Sequence, residues 1–185
     1  MTLVVSVVTE QGIVLGADSL VSTPQGPTQD EKVWLVGGRF GVLSYGTGPP
    51  GVPARVRFFV PTAADTQGVA QQLLASFQPN GAPMCLYVAG HDHGEPQLFR
   101  VDVSAGTTLR VNKGPTGLYY DAWCGGVASM PMELMGGIEY WAVRDIQHMS
   151  LADAVWRTEG LIRRTVREYP ASVGLPVRLL VLKRP

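Results

Sequence analysis

The sequence predicts an α+β fold in which two antiparallel sheets carry helices on their outer faces. Three observations lead there. Strand-like segments come in adjacent pairs joined by short glycine-containing turns, the first two strands are apolar at nearly every position, and helical periodicity is confined to mid-chain and the C-terminal third. A strand that is apolar on both sides needs cover on both faces, and hairpins alone cannot supply it, so a layered fold follows. At 185 residues the chain is close to the ~150-residue soft prior for one domain, which makes residues 1–185 a single expected domain. A chain of this size buries roughly 70% of its unfolded surface and needs no disulfide or metal staple.

The elements follow in order. Residues 2–8 form a β-branched run, Glu10-Gln11-Gly12 a turn, and residues 13–19 the second strand of a hairpin. Ser, Thr, Pro and Gly make 21–29 a loop. Strands over 32–36 and 40–44 turn at Gly37-Gly38. Glycine and proline crowd 46–61, which is expected to be irregular with at most a short helix over 54–59. Val69, Leu73 and Phe77 share one stripe of a helix over 65–77. A third hairpin joins 84–89 to 97–103 around His91-Asp92-His93-Gly94, and further strands are expected over 107–111 and 118–123. Leu134, Ile138 and Trp141 fall at helical spacing. A last helix opens at Ser150 with Asp153 three residues on, a start resembling a capping box, and carries Leu151, Val155, Leu161 or Ile162, and Val166 on its apolar stripe. Pro170 ends it, and a strand over 175–182 follows.

Composition excludes several functions. The 15 basic and 15 acidic side chains cancel, leaving no field to draw nucleic acid or anionic lipid, so neither nucleic acid nor membrane is an expected partner. No apolar run approaches the ~18 residues of a membrane span, and no basic region precedes the first apolar stretch, so a soluble cytoplasmic chain is expected. Cys85 and Cys124 sit in apolar runs without metal-ligand spacing, consistent with reduced cytosolic thiols. His91 and His93 lack a third ligand nearby, and Gly46-Thr47-Gly48 lacks the context of a dinucleotide loop, so no metal and no cofactor are expected. Arg163, Arg164 and Arg167 form a basic helical face, solvated or turned toward another subunit.

The chemistry centres on Thr2, which follows Met1 and has a side chain small enough for removal of the methionine to be expected. As the first residue it would carry both a hydroxyl nucleophile and an α-amine of pKa ~7.7–8.0 able to serve as its own general base. The alternative is a β-former opening a strand. Lys32 is one of three lysines and begins an apolar strand, where a buried ammonium needs a carboxylate. Asp18 is a candidate partner. Together they either polarise the Thr2 hydroxyl or form a structural ion pair at strand ends. Gly46 is either an ordinary turn glycine or a backbone N–H donor to an oxyanion, a role that lack of a β-carbon favours by letting an acyl group approach.

Thr2, Gly16-Ala17-Asp18-Ser19, Lys32 and Ser44-Tyr45-Gly46 together resemble the proteasome β-subunit family, with sixteen residues from Thr2 to Asp18 and fourteen for each of the next two steps. Tyr87 to Asp92, Leu98 to Asp102 and Cys124-Gly125-Gly126 extend the resemblance over essentially the whole chain, closest to short bacterial proteasome homologues. It implies the N-terminal nucleophile hydrolase fold, a four-layer αββα sandwich, and hydrolysis of peptide bonds through an acyl-enzyme on Thr2. It also implies stacked homo-oligomeric rings, a tetradecamer ahead of a dodecamer, acting on peptide or unfolded protein, with or without an ATPase partner. Cys124 takes the place of a family serine near the amine, or is a buried structural cysteine. Glu168 and Ser172 correspond to a late acidic residue and serine, with a longer side chain and one additional intervening residue. Alignment sets Val21, Asp30, Trp34 and Ser44 around Thr2 as substrate-binding walls, Trp34 narrowing the pocket and Asp30 favouring basic side chains, unless these face solvent or a neighbouring subunit. Two other readings share the sequence: a catalytically weak or inactive ring-forming scaffold, and an N-terminal-threonine amidase or acyl transferase.

Overall fold

The computed structural model describes residues 2–23, 25–48, 51–77, 83–123 and 146–185. Strands β1 (Thr2–Thr9) and β2 (Gly12–Ala17) are buried at every position. They occupy the middle of a four-stranded antiparallel sheet with β10 (Gly117–Trp123) on one side and β11 (Arg178–Lys183) on the other. The second sheet runs β5-β6-β7-β8-β9, from β5 (Val33–Val36) and β6 (Phe40–Gly46) through β7 (Met84–Asp92) and β8 (Glu95–Asp102) to β9 (Thr107–Arg110), also antiparallel.

The alternation of strand side chains sorts the apolar residues into three cores. Val4, Val8, Ile13 and Leu15 meet Leu43, Tyr45, Tyr87 and Leu98 between the sheets. Leu3, Val5, Val7 and Val14 point the other way, under helix α3 (Leu151–Glu168). Trp34, Val42, Leu86 and Val101 face outward from the second sheet onto α1 (Val52–Arg57) and α2 (Thr66–Phe77). The layers are therefore α1/α2, second sheet, first sheet, α3. This is the αββα sandwich, and it explains why β1 reads as a continuous apolar run: each of its faces closes a different core.

Gly16 sets how closely α3 lies on β2. A β-carbon there would stand 2.5 Å from Thr158 Cγ2 and 3.0 Å from Ile162 Cδ1, so only glycine permits this approach. The helix starts at Ser150, whose Oγ accepts the Asp153 N–H at 3.1 Å, and Gln11 Oε1 accepts the Leu151 N–H at 3.1 Å.

Three elements differ from their sequence expectation. The expected loop over 21–29 contains a short exposed hairpin, β3 (Leu20–Thr23) with β4 (Gly26–Gln29), whose turn is held by Thr23 Oγ1 donating to Gly26 O at 2.7 Å. Its described residues are exposed or half-buried, so no apolar period marks the strands. Helix α1 starts at Val52, earlier than expected, because proline is tolerated in a first helical turn. Strand β11 begins only at Arg178, because the segment before it turns toward Ser19, which donates from Oγ to Pro176 O at 2.5 Å. The expected helix around Leu134, Ile138 and Trp141 lies outside the described residues. Among the described residues, no helix is long and apolar enough to cross a membrane.

Candidate active site

The β1–β2 hairpin brings Leu3, next to Thr2 at the start of β1, beside the residue after β2: Asp18 N–H donates to Leu3 O at 3.3 Å, and Leu3 N–H donates to Asp18 Oδ1 at 3.0 Å. Strand β5 then delivers Lys32 from the other sheet, and its Nζ donates to Thr2 Oγ1 at 3.2 Å, Asp18 Oδ1 at 2.9 Å and Leu20 O at 2.6 Å. Thr2, Asp18 and Lys32 are all buried, Asp18 completely. An ammonium has three N–H donors, and each has an acceptor here.

Burying an ion pair costs several kcal/mol per ion unless its remaining hydrogen-bonding positions are filled. Asp18 meets that condition. Besides Leu3 N–H and Lys32 on Oδ1, its Oδ2 accepts from Leu20 N–H at 3.0 Å and Gly174 N–H at 3.3 Å. Burial holds the Lys32 pKa below its ordinary value, while the charge and hydrogen bond of Asp18 and the charge of Asp30 act to raise it. The proton on Lys32 is thus held less firmly than on a solvated lysine. With Thr2 Oγ1 as its longest contact, Lys32 can donate to that oxygen as an ammonium or accept its proton as an amine.

The other residues singled out in the sequence occupy varied positions. Gly46 ends β6 with φ +93°, and a β-carbon there would lie 2.3 Å from Pro83 O, so both backbone conformation and packing require glycine. Ser44 donates its backbone N–H to Lys32 O at 2.9 Å, which fixes the strand end that carries the lysine. Asp30, partly exposed, donates its N–H to Ser19 O at 2.9 Å and accepts the Glu31 N–H on Oδ1 at 2.8 Å. Val21 follows Leu20, the residue whose carbonyl holds Lys32, and is partly exposed on β3. Trp34 is buried in the core beneath α1, and its Nε1 has no hydrogen-bond partner among the described residues. Glu168 lies at the exposed end of α3, where its carboxylate accepts from Arg164 Nε at 2.7 Å. Ser172 donates its backbone N–H to Tyr169 O at 3.0 Å, two residues before Gly174. Cys124 lies outside the described residues, immediately after Trp123, the register partner of Thr2.

Sequence reasoning missed the backbone members of this cluster: Leu3 N–H, Leu20 N–H and carbonyl, and Gly174 N–H. Main-chain groups leave no residue signature. Only Gly174 carries a signal, a glycine whose β-carbon would fall 2.9 Å from that of Leu20.

No protein-family model matches the sequence, and no curated protein matches it. Solved structures do. An Anbu mutant from Hyphomicrobium sp. strain MC1 superposes with a TM-score of 0.72 at 19% identity, over 100% of this chain and 82% of that one. Anbu from Yersinia bercovieri, described as an ancestral beta-subunit, superposes with a TM-score of 0.68 at 13% identity, over 99% of this chain and 82% of that one. These neighbours correct the resemblance drawn from the motifs. They are Anbu proteins, related to proteasome β subunits but distinct from them, and no sequence match supports placing this chain among the proteasome β subunits. The physical reason is that the Thr2, Asp18, Lys32 and Gly46 spacing reflects hairpin lengths that bring strand ends together, a property of the scaffold more than of one family. The chain shares the α+β, N-terminal-nucleophile-hydrolase-like fold of these structures.

Proposed function

We propose that this chain is a threonine-type amidohydrolase that cleaves peptide bonds through an acyl-enzyme on Thr2. The supporting observation is the 3.2 Å contact between Lys32 Nζ and Thr2 Oγ1, with the lysine fixed by Asp18 Oδ1 at 2.9 Å. In this reading Met1 is removed and the Thr2 α-amine serves as general base. Thr2 Oγ1 attacks the scissile carbonyl carbon, its proton passes to the amine, and the carbonyl electron pair moves onto oxygen. Gly46 N–H is the proposed donor to that oxyanion. Collapse breaks the C–N bond, the α-ammonium returns its proton to the leaving amine, and water then attacks the ester and releases the acid with Thr2 Oγ1–H restored. Lys32 stabilises negative charge on Oγ1 throughout. Cys124 is proposed beside the amine, with Ser172 in the segment whose Gly174 supports Asp18 and Glu168 at the end of α3 that leads into it.

Val21, Asp30 and Ser44 are proposed to shape the substrate site, from which Trp34 is withdrawn by its burial in the core beneath α1, and the charge of Asp30 favours a basic side chain on the substrate. No cofactor enters any step. We further propose that residues 1–185 act as one domain in a self-compartmentalising homo-oligomer in the cytoplasm, a ring of tetradecameric order ahead of dodecameric, acting on peptide or unfolded protein.

Intact mass of the purified protein, before and after treatment with a peptide epoxyketone, tests the reading. The expected result is a chain lacking Met1 that gains one adduct, with no adduct in Thr2→Ala. Retained Met1 with no adduct and no peptidase activity would overturn it in favour of a non-catalytic scaffold. Transfer of the acyl group to an added amine in preference to water would replace it with an acyl transferase.

A further inference from the structure

Helix α2 and the outer face of the second sheet bound an open cavity of about 470 Å³ at the end of β7. Residues two apart on a strand share a face, so Gln97 and Phe99 on β8, Thr108 and Arg110 on β9, and Asp92 at the end of β7 all line it. Asp65, which leads into α2, completes the wall. Phe99 is 7% exposed and gives the cavity an apolar floor.

The charges around that floor are of both signs and do not pair with one another. Among the described residues, Asp65, Asp92 and Arg110 have no ion-pair partner. Each is nonetheless held by a neutral neighbour. Asp92 accepts the Thr66 N–H on both oxygens at 3.1 Å and the Thr66 Oγ1–H at 2.9 Å, and Asp65 Oδ1 accepts the Gly68 N–H at 2.7 Å. Arg110 donates from Nε to Asn112 O at 3.1 Å. Asn112 is buried and itself fixed, its Oδ1 accepting the Leu98 N–H and its Nδ2 donating to Pro96 O, both at 2.8 Å. A guanidinium anchored through Nε keeps its terminal nitrogens as a fork, the geometry that takes a carboxylate. Capping of α2 accounts for the two acidic side chains but not for a tethered cation in the same cavity.

We propose that this cavity binds a zwitterion with an apolar side chain, a free α-amino acid or a short peptide with both ends unblocked. Its α-carboxylate lies on the Arg110 fork, its α-ammonium on the carboxylates of Asp65 and Asp92, and its side chain over Phe99. Both charged ends of the site are fixed before the ligand arrives, so binding orders few side chains. Hydrolysis of peptide bonds releases ligands of this class, yet the cavity stands apart from Thr2. Strand β7 begins at Met84, opposite Gly46, and reaches Asp92 about 25 Å further along.

Isothermal titration calorimetry on the full chain with L-leucine and with the dipeptide Leu-Leu is the test. At least one should bind saturably, and the tighter of the two identifies the source. Leucinamide, which lacks the carboxylate, and isocaproate, which lacks the ammonium, should each bind about tenfold or more weakly. Arg110→Gln and Asp92→Asn should each lose about tenfold or more in affinity, as expected for a charge-assisted contact. Asp92→Asn keeps an oxygen for the Thr66 donors, so its melting temperature should stay near that of the parent. Binding should persist in Thr2→Ala, which separates this site from the one around Thr2 and the proposal from the peptidase reading. Failure of both ligands to saturate up to their solubility limits overturns the proposal. So does equal binding of leucinamide or isocaproate, or binding that is lost in Thr2→Ala but kept in Arg110→Gln.

Discussion

Gly174 N–H donates to Asp18 Oδ2 at 3.3 Å across 156 positions of sequence, and Gly174 O accepts the Ser19 N–H at 3.0 Å. The segment after α3 therefore grips the β2–β3 junction on adjacent residues, and one of those residues carries the Lys32 counter-ion. A β-carbon on Gly174 would stand 2.9 Å from Leu20 Cβ. Gly174→Ala should push the two segments apart, lengthen the Asp18 bond and lower kcat by about tenfold or more, as displacement of a catalytic group does, with KM little changed. Steady-state kinetics on a peptide substrate checks it; a rise in KM alone would place Gly174 at the substrate and not behind Asp18.

Removing either member of the Asp18–Lys32 pair destabilises the fold unequally. In Lys32→Met the carboxylate keeps the N–H groups of Leu3, Leu20 and Gly174, and the loss should be about 3 kcal/mol. Asp18→Ala strands those three donors and a buried ammonium together, and should cost about 5 kcal/mol. Urea unfolding of both variants gives the comparison, and equal losses would mean that the ion pair alone sets the cost.

Lys32 also links stability to pH. Because burial lowers its pKa from the ordinary 10.5, the unfolded chain binds a proton that the folded chain has released anywhere between the two values. The lysine's contribution is fully present above 10.5 and is lost as pH falls through the folded pKa. The difference in stability between the parent and Lys32→Met should therefore move in the parent's favour as pH rises through that window. In the rate profile, Asp30→Asn removes a charge that raises the lysine pKa, so the limb governed by Lys32 should shift to lower pH with the fold intact. A shift to higher pH would contradict the electrostatic assignment.

Much of this arrangement was legible from residue order, for a physical reason. Hairpins with short turns leave paired apolar runs punctuated by glycine, so β1, β2, β5, β6, β7 and β8 are legible in residue order, and a lysine at the start of an apolar strand announces a buried counter-ion. The β3–β4 hairpin was not legible, because a two-stranded ribbon with exposed faces has no apolar period. Trp34 shows a different limit. Its side chain follows strand parity into the core under α1, and one residue of register separates that face from the core between the sheets. The backbone donors to Asp18 were invisible for the simplest reason, that every residue but proline has the same N–H.

The contact between Gly16 and α3 reaches the candidate site by two routes. Asp18 lies two residues beyond Gly16, and α3 leads through Tyr169 to Gly174, which holds the same carboxylate. Gly16→Ala should push the helix off β2, since the new methyl would fall 2.5 Å from Thr158 Cγ2, and overpacking of this kind costs about 1–3 kcal/mol. Thr158→Ser deletes that methyl and leaves the helix otherwise unchanged. The Thr158 hydroxyl has no partner among the described residues, so the serine loses no hydrogen bond with them. In the double variant the melting temperature and kcat should recover together, because one displacement causes both losses. Recovery of stability without recovery of rate would show that the helix position does not reach Asp18, and that β2 and the Gly174 segment hold the site independently of α3.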